Sequence, residues 1–329
     1  MTQPLPASST PSAQATARPF PIPVNYFAMA LGTGALGAAW RAAASAGMTP
    51  AWVGEAILAF TAVVWLILIT AMVVALLNFR QWLREQWAHP VRCCFFSLIP
   101  ATTAQMGATV FPYLSYLGYA LAILGALGQL YFASHRIAGM WRGTHVAEAT
   151  TPVLYLPTVA TNFATATAMG MMGWKDAAMF FFGAGLISWF SVESAILNRL
   201  RNLAPMNVGE RGLMGVQLAP PFVGGNAYLA ANGGMVDWFF LIMTGYGILQ
   251  LIFLMRLLPW IMEGGFSMSL WGFSFGMGAM VSTGVHLSAA NVVNPLGIVL
   301  MVIGTGFLVF LWGGVAYVTS QGRLLVRPS

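Results

Sequence analysis

The sequence predicts an all-α integral membrane protein. Ten transmembrane helices are expected, paired as five helical hairpins around a central pore, with odd-numbered helices inside and even-numbered helices outside. Three observations lead there. The 329-residue chain is 58% hydrophobic and 7% charged, whereas a soluble domain carries about 25% charged residues. Such a chain cannot cover a soluble surface with charge. Apolar runs of a length suited to a membrane-crossing helix, roughly 20 residues, recur ten times. The basic residues fall between those runs with a strong side bias.

Residues 1–23 are rich in Pro, Ser, Thr and Ala, a composition that buries little and stays disordered. A tail is expected over 1–18, a membrane domain over 19–322 and a short C-terminal tail over 323–329. The first apolar run, 24–40, carries ALGTGALG. A rival reading makes it a signal peptide, because AAWRAAASAGM follows with small residues suited to cleavage; the long tail and the single basic residue before it, Arg18, speak against that. The second run, 53–78, contains AVVWLILITAMVVALL. The third, 93–110, holds SLIPATTAQ and is separated from the fourth, 113–134, by a tight turn near Phe111 to Tyr113. The fifth, 153–172, holds YLPTVATNFATA, and the sixth, 177–198, includes Glu193. The seventh, 212–230, holds QLAPPFVGG, and the eighth, 237–259, LIMTGYGILQLIFLM. The ninth, 266–287, contains GFSFGMGAMVSTG, and the tenth covers 294–319.

With ten runs, alternate loops share a side. Arg18, Arg80, Arg84, Arg92, Arg136, Arg142, Arg199, Arg201, Arg211, Arg256, Arg323 and Arg327 then lie with the termini, and Arg41 and Lys175 lie opposite: 12 against 2 of the 14 basic residues. Cytoplasmic loops carry the excess of Lys and Arg, so both termini are expected inside. The net charge of +6 is explained by orientation in a lipid bilayer rather than by nucleic acid, which is not expected as a partner.

The odd runs each carry glycine, proline or hydroxyl residues near the middle, while the even runs are bulkier and lipid-like. Unpaired backbone groups are tolerated in a membrane only where buried in protein or lining a water-filled cavity, and proline removes a helix hydrogen bond. Five inner helices enclosing a pore follow from that. Close packing uses the same small residues, and Gly272 with Gly276 forms a G-x-x-x-G; the recurrence in all five odd runs is what favours the pore.

Within their limits the odd runs contain no Asp, Glu, Lys or Arg, and His286 sits at the outer end of the ninth. Proton-coupled carriers usually place ionisable groups in the membrane interior. Hydroxyls and helix dipoles suit weak multi-site passage, and exposed backbone N–H groups favour an anion; backbone carbonyls would instead favour cations, and both remain open at this point. Glu193 and Arg256 lie near the inner ends of even runs. They read as end-of-helix snorkelling or a salt bridge of Glu193 with Arg199 or Arg201, with a regulatory pair as the alternative. His89, His135 and His145 lack metal spacing and read as loop or interface residues. Cys93 and Cys94 are adjacent, neither a zinc nor a redox spacing. There is no phosphate-binding glycine loop and no catalytic triad pattern, so an enzyme is not expected, nor a cofactor or metal. Phe273 and Phe275, two apart, point about 200° away from each other on a helix of 3.6 residues per turn; both cannot fill one pore.

The segments PFPIPVNYF (19–27), HPVRCCFFSLIPATT (89–103), YLPTVATNF (155–163), FFGAGLISWFSVE (181–193), LAPPFV (218–223), GYGILQLIFLMRLLPWI (245–261) and LWGFSFGMGAM (270–280) resemble, in order and across nearly the whole chain, the family of the TehA-type tellurite-resistance proteins and, more distantly, the slow anion channels of plant guard cells. The resemblance implies ten helices in five hairpins, a pore in each protomer, a homotrimer in a bacterial inner membrane, and conduction of small inorganic or organic anions. It also implies that Phe275 occludes the pore. Candidate lining residues are Ala28, Gly32, Thr102, Thr103, Thr161, Phe222, Gly276 and Ser282. In the family a glycine and a proline stand where this chain has Ala28 and Ala30, which implies a straighter first helix and a narrower pore. Relatives named as dicarboxylate or sulfite carriers leave a carrier of small anions as the alternative, and a non-conducting scaffold or sensor as a third reading.

Overall fold

The computed structural model describes residues 19–325. The expected tail over 1–18, with Arg18, and residues 326–329 of the C-terminal tail, with Arg327, lie outside the described residues. Among those described, regular structure is entirely helical. The α-helices are α1 (Phe27–Ser45), α2 (Ala51–Asn78), α3 (Arg80–Ala88), α4 (Leu98–Val110), α5 (Ser115–Met140), α6 (Thr161–Met171), α7 (Lys175–Asn202), α8 (Ala219–Asn232), α9 (Trp238–Ile261), α10 (Ser274–Ala289) and α11 (Asn294–Ser320). Helix is present within each of the ten apolar runs. The addition is α3, whose sequence RQWLREQWA places a buried Trp82 among charged residues on a short amphipathic turn between two runs.

Six helices are long and apolar enough to cross a membrane by length and composition: Ala51–Asn78, Arg92–Val110, Ser115–Met140, Lys175–Asn202, Trp238–Ile261 and Asn294–Ser320. This is a membrane protein with two kinds of helix. In Arg92–Val110, 67% of the apolar stretch is buried, against 22% to 39% in the other five. α1, α6, α8 and α10 are not among the six, and each is preceded by a stretch wound as something other than α-helix.

This winding corrects an expectation. The breaks were expected mid-helix; they lie at helix starts. Tight 3-10 turns over Val24–Tyr26, Arg92–Ser97, Pro152–Tyr155, Val208–Leu218 and Met268–Phe273 precede α1, α4, α6, α8 and α10. Before α6 a π-turn over Leu156–Ala160 carries Pro157, and Pro220 and Pro221 fall in the first turn of α8. The first-turn N–H groups have no partner within a helix anyway, so proline costs least there.

These five helices form a closed ring. α1 packs on α4, α4 on α6, α6 on α8, α8 on α10, and α10 back on α1, and each also packs on the helix that follows it. Burial follows: 12 of the 16 residues of α10 are buried, whereas in the 27-residue α11 the six buried residues form one stripe, Gly297, Leu300, Gly304, Leu308, Leu311 and Val315. Small residues set the approach. A Cβ on Gly278 would lie 2.8 Å from that of Ala35 and 2.9 Å from the Gly32 carbonyl oxygen, so α10 and α1 touch backbone to backbone. Ser274, on the same contact, donates to the Ala28 carbonyl at 3.0 Å.

Candidate functional site

Two cavities lie within the ring, and each is lined by all five of its segments. The larger, of about 80 Å³, is lined toward the C-terminal ends of the inner helices: Ala35, Ala38 and Arg41 of α1, Gln105 and Thr109 of α4, Ala164 and Thr167 of α6, Val223 and Asn226 of α8, and Ala279 and Ser282 of α10. The smaller, of about 30 Å³, lies toward their N-terminal ends, among Asn25, Ala28, Leu31, Leu98, Leu156, Val216, Ala219 and Ser274. The five inner helices therefore run in the same sense. Their N-termini, which carry partial positive charge, surround the smaller cavity.

One residue is common to both linings: Phe275. It is half-buried. Phe273 is 2% exposed; its ring fills the space left by the missing side chain of Gly215 and packs at 5.1 Å on the ring of Phe307. The two phenylalanines divide as their helical spacing requires, one on the axis and one among the helices.

Helical phase accounts for the rest of the lining. Ala28, Leu31, Ala35, Ala38 and Arg41 recur at steps of three and four, as do Ala219, Val223 and Asn226, and Phe275, Ala279 and Ser282. Of the residues proposed from sequence, Phe275, Ala28 and Ser282 line these cavities. The others are engaged in packing. The absent side chain of Gly32 is where Ser274 sits. A Cβ on Gly276 would lie 2.5 Å from that of Leu218, so this glycine seats the 208–218 turn rather than clearing space for a ring. Phe222 is 1% exposed and lies against Gly247. Thr102, Thr103 and Thr161 donate back to the carbonyls of Leu98, Ile99 and Pro157, each within 2.8 to 2.9 Å, so their protons are spent on their own helices.

Sequence reasoning passed over Arg41, Gln105, Thr109, Thr167 and Asn226. Arg41 was assigned to an outer loop because the first run was ended at residue 40; α1 continues to Ser45 and carries the arginine into the cavity wall. There it makes a two-pronged pair with Glu55 of α2, at 2.6 and 2.7 Å, and donates to the Thr109 carbonyl at 3.2 Å. Tyr113 donates to the same carboxylate at 2.7 Å. The amides follow a common pattern: Gln105 donates to the Leu31 carbonyl at 3.1 Å and Asn226 to that of Ala279 at 2.7 Å, so each ties its own helix to a neighbour in the ring. Gln105 and Asn226 were visible as amides inside apolar runs; that was the unused signal.

Glu193 and Arg256 are apart from this axis. Arg256 is exposed near the end of α9. Glu193 forms no ion pair with Arg199 or Arg201; it accepts from Tyr155, from Trp189 at 2.8 Å and from Tyr246 at 3.3 Å. Arg199 instead donates to the Glu148 carbonyl.

The profile of the voltage-dependent anion channel family (SLAC1) matches residues 21–320. The chain belongs to the voltage-dependent anion channel family. Membership places it among the proteins that transport anions across membranes, a family of channels and transporters. It is also 34% identical over 311 residues to the tellurite resistance protein TehA homolog of Haemophilus influenzae, covering 94% of each chain. In this member of the family, the axial cavities, the ring around them and the shared phenylalanine are the candidate conduction site.

Proposed function

We propose that this protein is a gated anion channel of the bacterial inner membrane and not an enzyme, with ten membrane-crossing segments paired in five hairpins around a pore in each protomer of a homotrimer. Phe275 is its gate. The observation that carries the reading is that Phe275 alone is common to the linings of two cavities stacked on the axis of the ring. Around it the walls are apolar: Ala28, Leu31, Leu98, Ala219, Val223 and Ala279. A narrow apolar constriction excludes ions by refusing them water, so a ring in that place holds the path shut until it moves. The N-terminal ends of five helices on one side, and Arg41 on the other, offer an anion positive potential at both mouths.

The test is anion flux into liposomes holding wild type or Phe275→Ala. The variant is expected to pass chloride or nitrate about tenfold faster or more, the equivalent of removing about 1.4 kcal/mol of barrier. Unchanged flux in a folded variant refutes the gate. Saturable, pH-coupled uptake of a dicarboxylate or sulfite at carrier rates would move the assignment to a secondary carrier of small anions.

A further inference from the structure

Away from the axis, an open pocket of about 430 Å³ sits where α3, the 3-10 turn Arg92–Ser97 and the C-terminal end of α5 meet. Its walls include Trp87, Phe132, His135, Arg136, Arg142 and Thr144. No carboxylate belongs to the lining. Among the described residues, neither Arg136 nor Arg142 is paired with an acid; Glu85 of α3 is exposed and takes a hydrogen bond from Gln81. Arg136 is held in place by donating to the Pro90 carbonyl at 2.6 Å. Its Nε is buried and has no acceptor, an arrangement that is costly for a charged donor and asks for an anionic oxygen. Trp87 is fixed beside it, edge-on to Phe132 at 5.3 Å and against His135 at 5.2 Å.

The depth of the pocket points to the source of that anion. It lies where two apolar membrane-length stretches, Arg92–Val110 and Ser115–Met140, begin and end. Trp141, next along the chain, is 84% exposed, as tryptophans are at the membrane–water boundary. On α5 below it the apolar side chains Leu124, Leu127, Leu130 and Tyr131 are all uncovered, a path for an acyl chain. Basic pockets between helices at this level hold anionic headgroups. We propose that this pocket binds the phosphate headgroup of an anionic phospholipid, with the guanidinium groups of Arg136 and Arg142 as its two cationic contacts and Trp87 packing on the glycerol end.

The test is native mass spectrometry of delipidated full-length protein given phosphatidylglycerol or phosphatidylcholine vesicle lipid in detergent. Wild type is expected to retain one more phosphatidylglycerol per protomer than R136Q/R142Q, with phosphatidylcholine retained equally by both. Arg256→Gln removes the same charge from an exposed arginine outside the pocket and is expected to match wild type. Because Arg136 also fastens Pro90, Arg142→Gln is run beside the double variant; it is expected to lose phosphatidylglycerol several-fold while its thermal midpoint without lipid stays at the wild-type value. Equal retention by R142Q and wild type overturns the site, as does an equal loss in R256Q. Inorganic phosphate displacing the bound lipid at low millimolar concentration would make it a soluble-anion site and overturn the lipid assignment.

Discussion

Phe273 ends the 3-10 turn and Phe275 lies in the first turn of α10, yet one is packed and the other lines both cavities. Phe273→Ala is therefore expected to lower stability without opening a path, the opposite of the substitution at Phe275. Arg41 is the other residue whose role depends on a few degrees of helical phase. Its side chain lines the larger cavity while Glu55 holds it from α2. A unit charge a few ångströms from a permeating ion in a wet mouth is worth about 1 kcal/mol, roughly fivefold in occupancy. Arg41→Gln is expected to reduce anion flux about that much at low anion concentration and little at saturation. Glu55→Gln, which leaves the guanidinium without its counter-charge, is expected to act in the other direction. Flux measured across a range of chloride concentrations checks both.

Among the elements, the inner helices are defined by how they start and how closely they approach. Glycine at the α1–α10 contact is a matter of backbone distance: Gly278→Leu would drive a side chain into Ala35 and the Gly32 carbonyl. The expected result is loss of folded protein in detergent, read by gel filtration, whereas the same change at the uncrowded Gly183 of α7 is expected to be tolerated. The π-turn before α6 has its own support. Tyr155, just ahead of it, donates to Glu193 of α7, and Tyr246 of α9 donates to the same carboxylate, so one charged acceptor ties two outer helices to an inner one. Glu193→Ala removes an acceptor whose hydrogen bonds are worth about 1.5–3 kcal/mol each. It is expected to lower the thermal midpoint in detergent while leaving ion selectivity unchanged; a selectivity shift with unchanged stability would make Glu193 regulatory instead. In the sequence Glu193 stood close to two arginines, and snorkelling at the helix end or an ion pair was the expectation. Separation along a helix did not reveal that Tyr155 and Tyr246, 38 and 53 residues away, would reach it first.

On the scale of the whole molecule, the ring of α1, α4, α6, α8 and α10 matches the set of segments whose sequences were rich in small and hydroxyl residues. The 12-to-2 division of basic residues carries a further prediction: both termini lie on the cytoplasmic side. Single cysteines placed at residues 5 and 325 in a cysteine-free background are expected to resist a membrane-impermeant thiol reagent in intact cells and to react after lysis. Labelling of either in intact cells would invert the orientation.

Composition and period were enough to read an α-helical membrane protein, the difference between lipid-facing and enclosed helices, and the positions of the apolar runs, because hydrophobicity and the helical repeat act locally along the chain. The resemblance carried by LWGFSFGMGAM pointed to Phe275 rather than Phe273, which spacing alone left undecided. Only the tertiary structure separated Ala28 and Ser282, which line the cavities, from Thr102, Thr103 and Thr161, which turn back onto their own carbonyls, brought Arg41 into a cavity wall, and closed five separated segments into one ring. Those outcomes depend on the rotation of each helix about its own axis. That rotation is set by which glycine meets which neighbour across the ring, and such contacts join residues hundreds of positions apart, as Ser274 and Ala28 do.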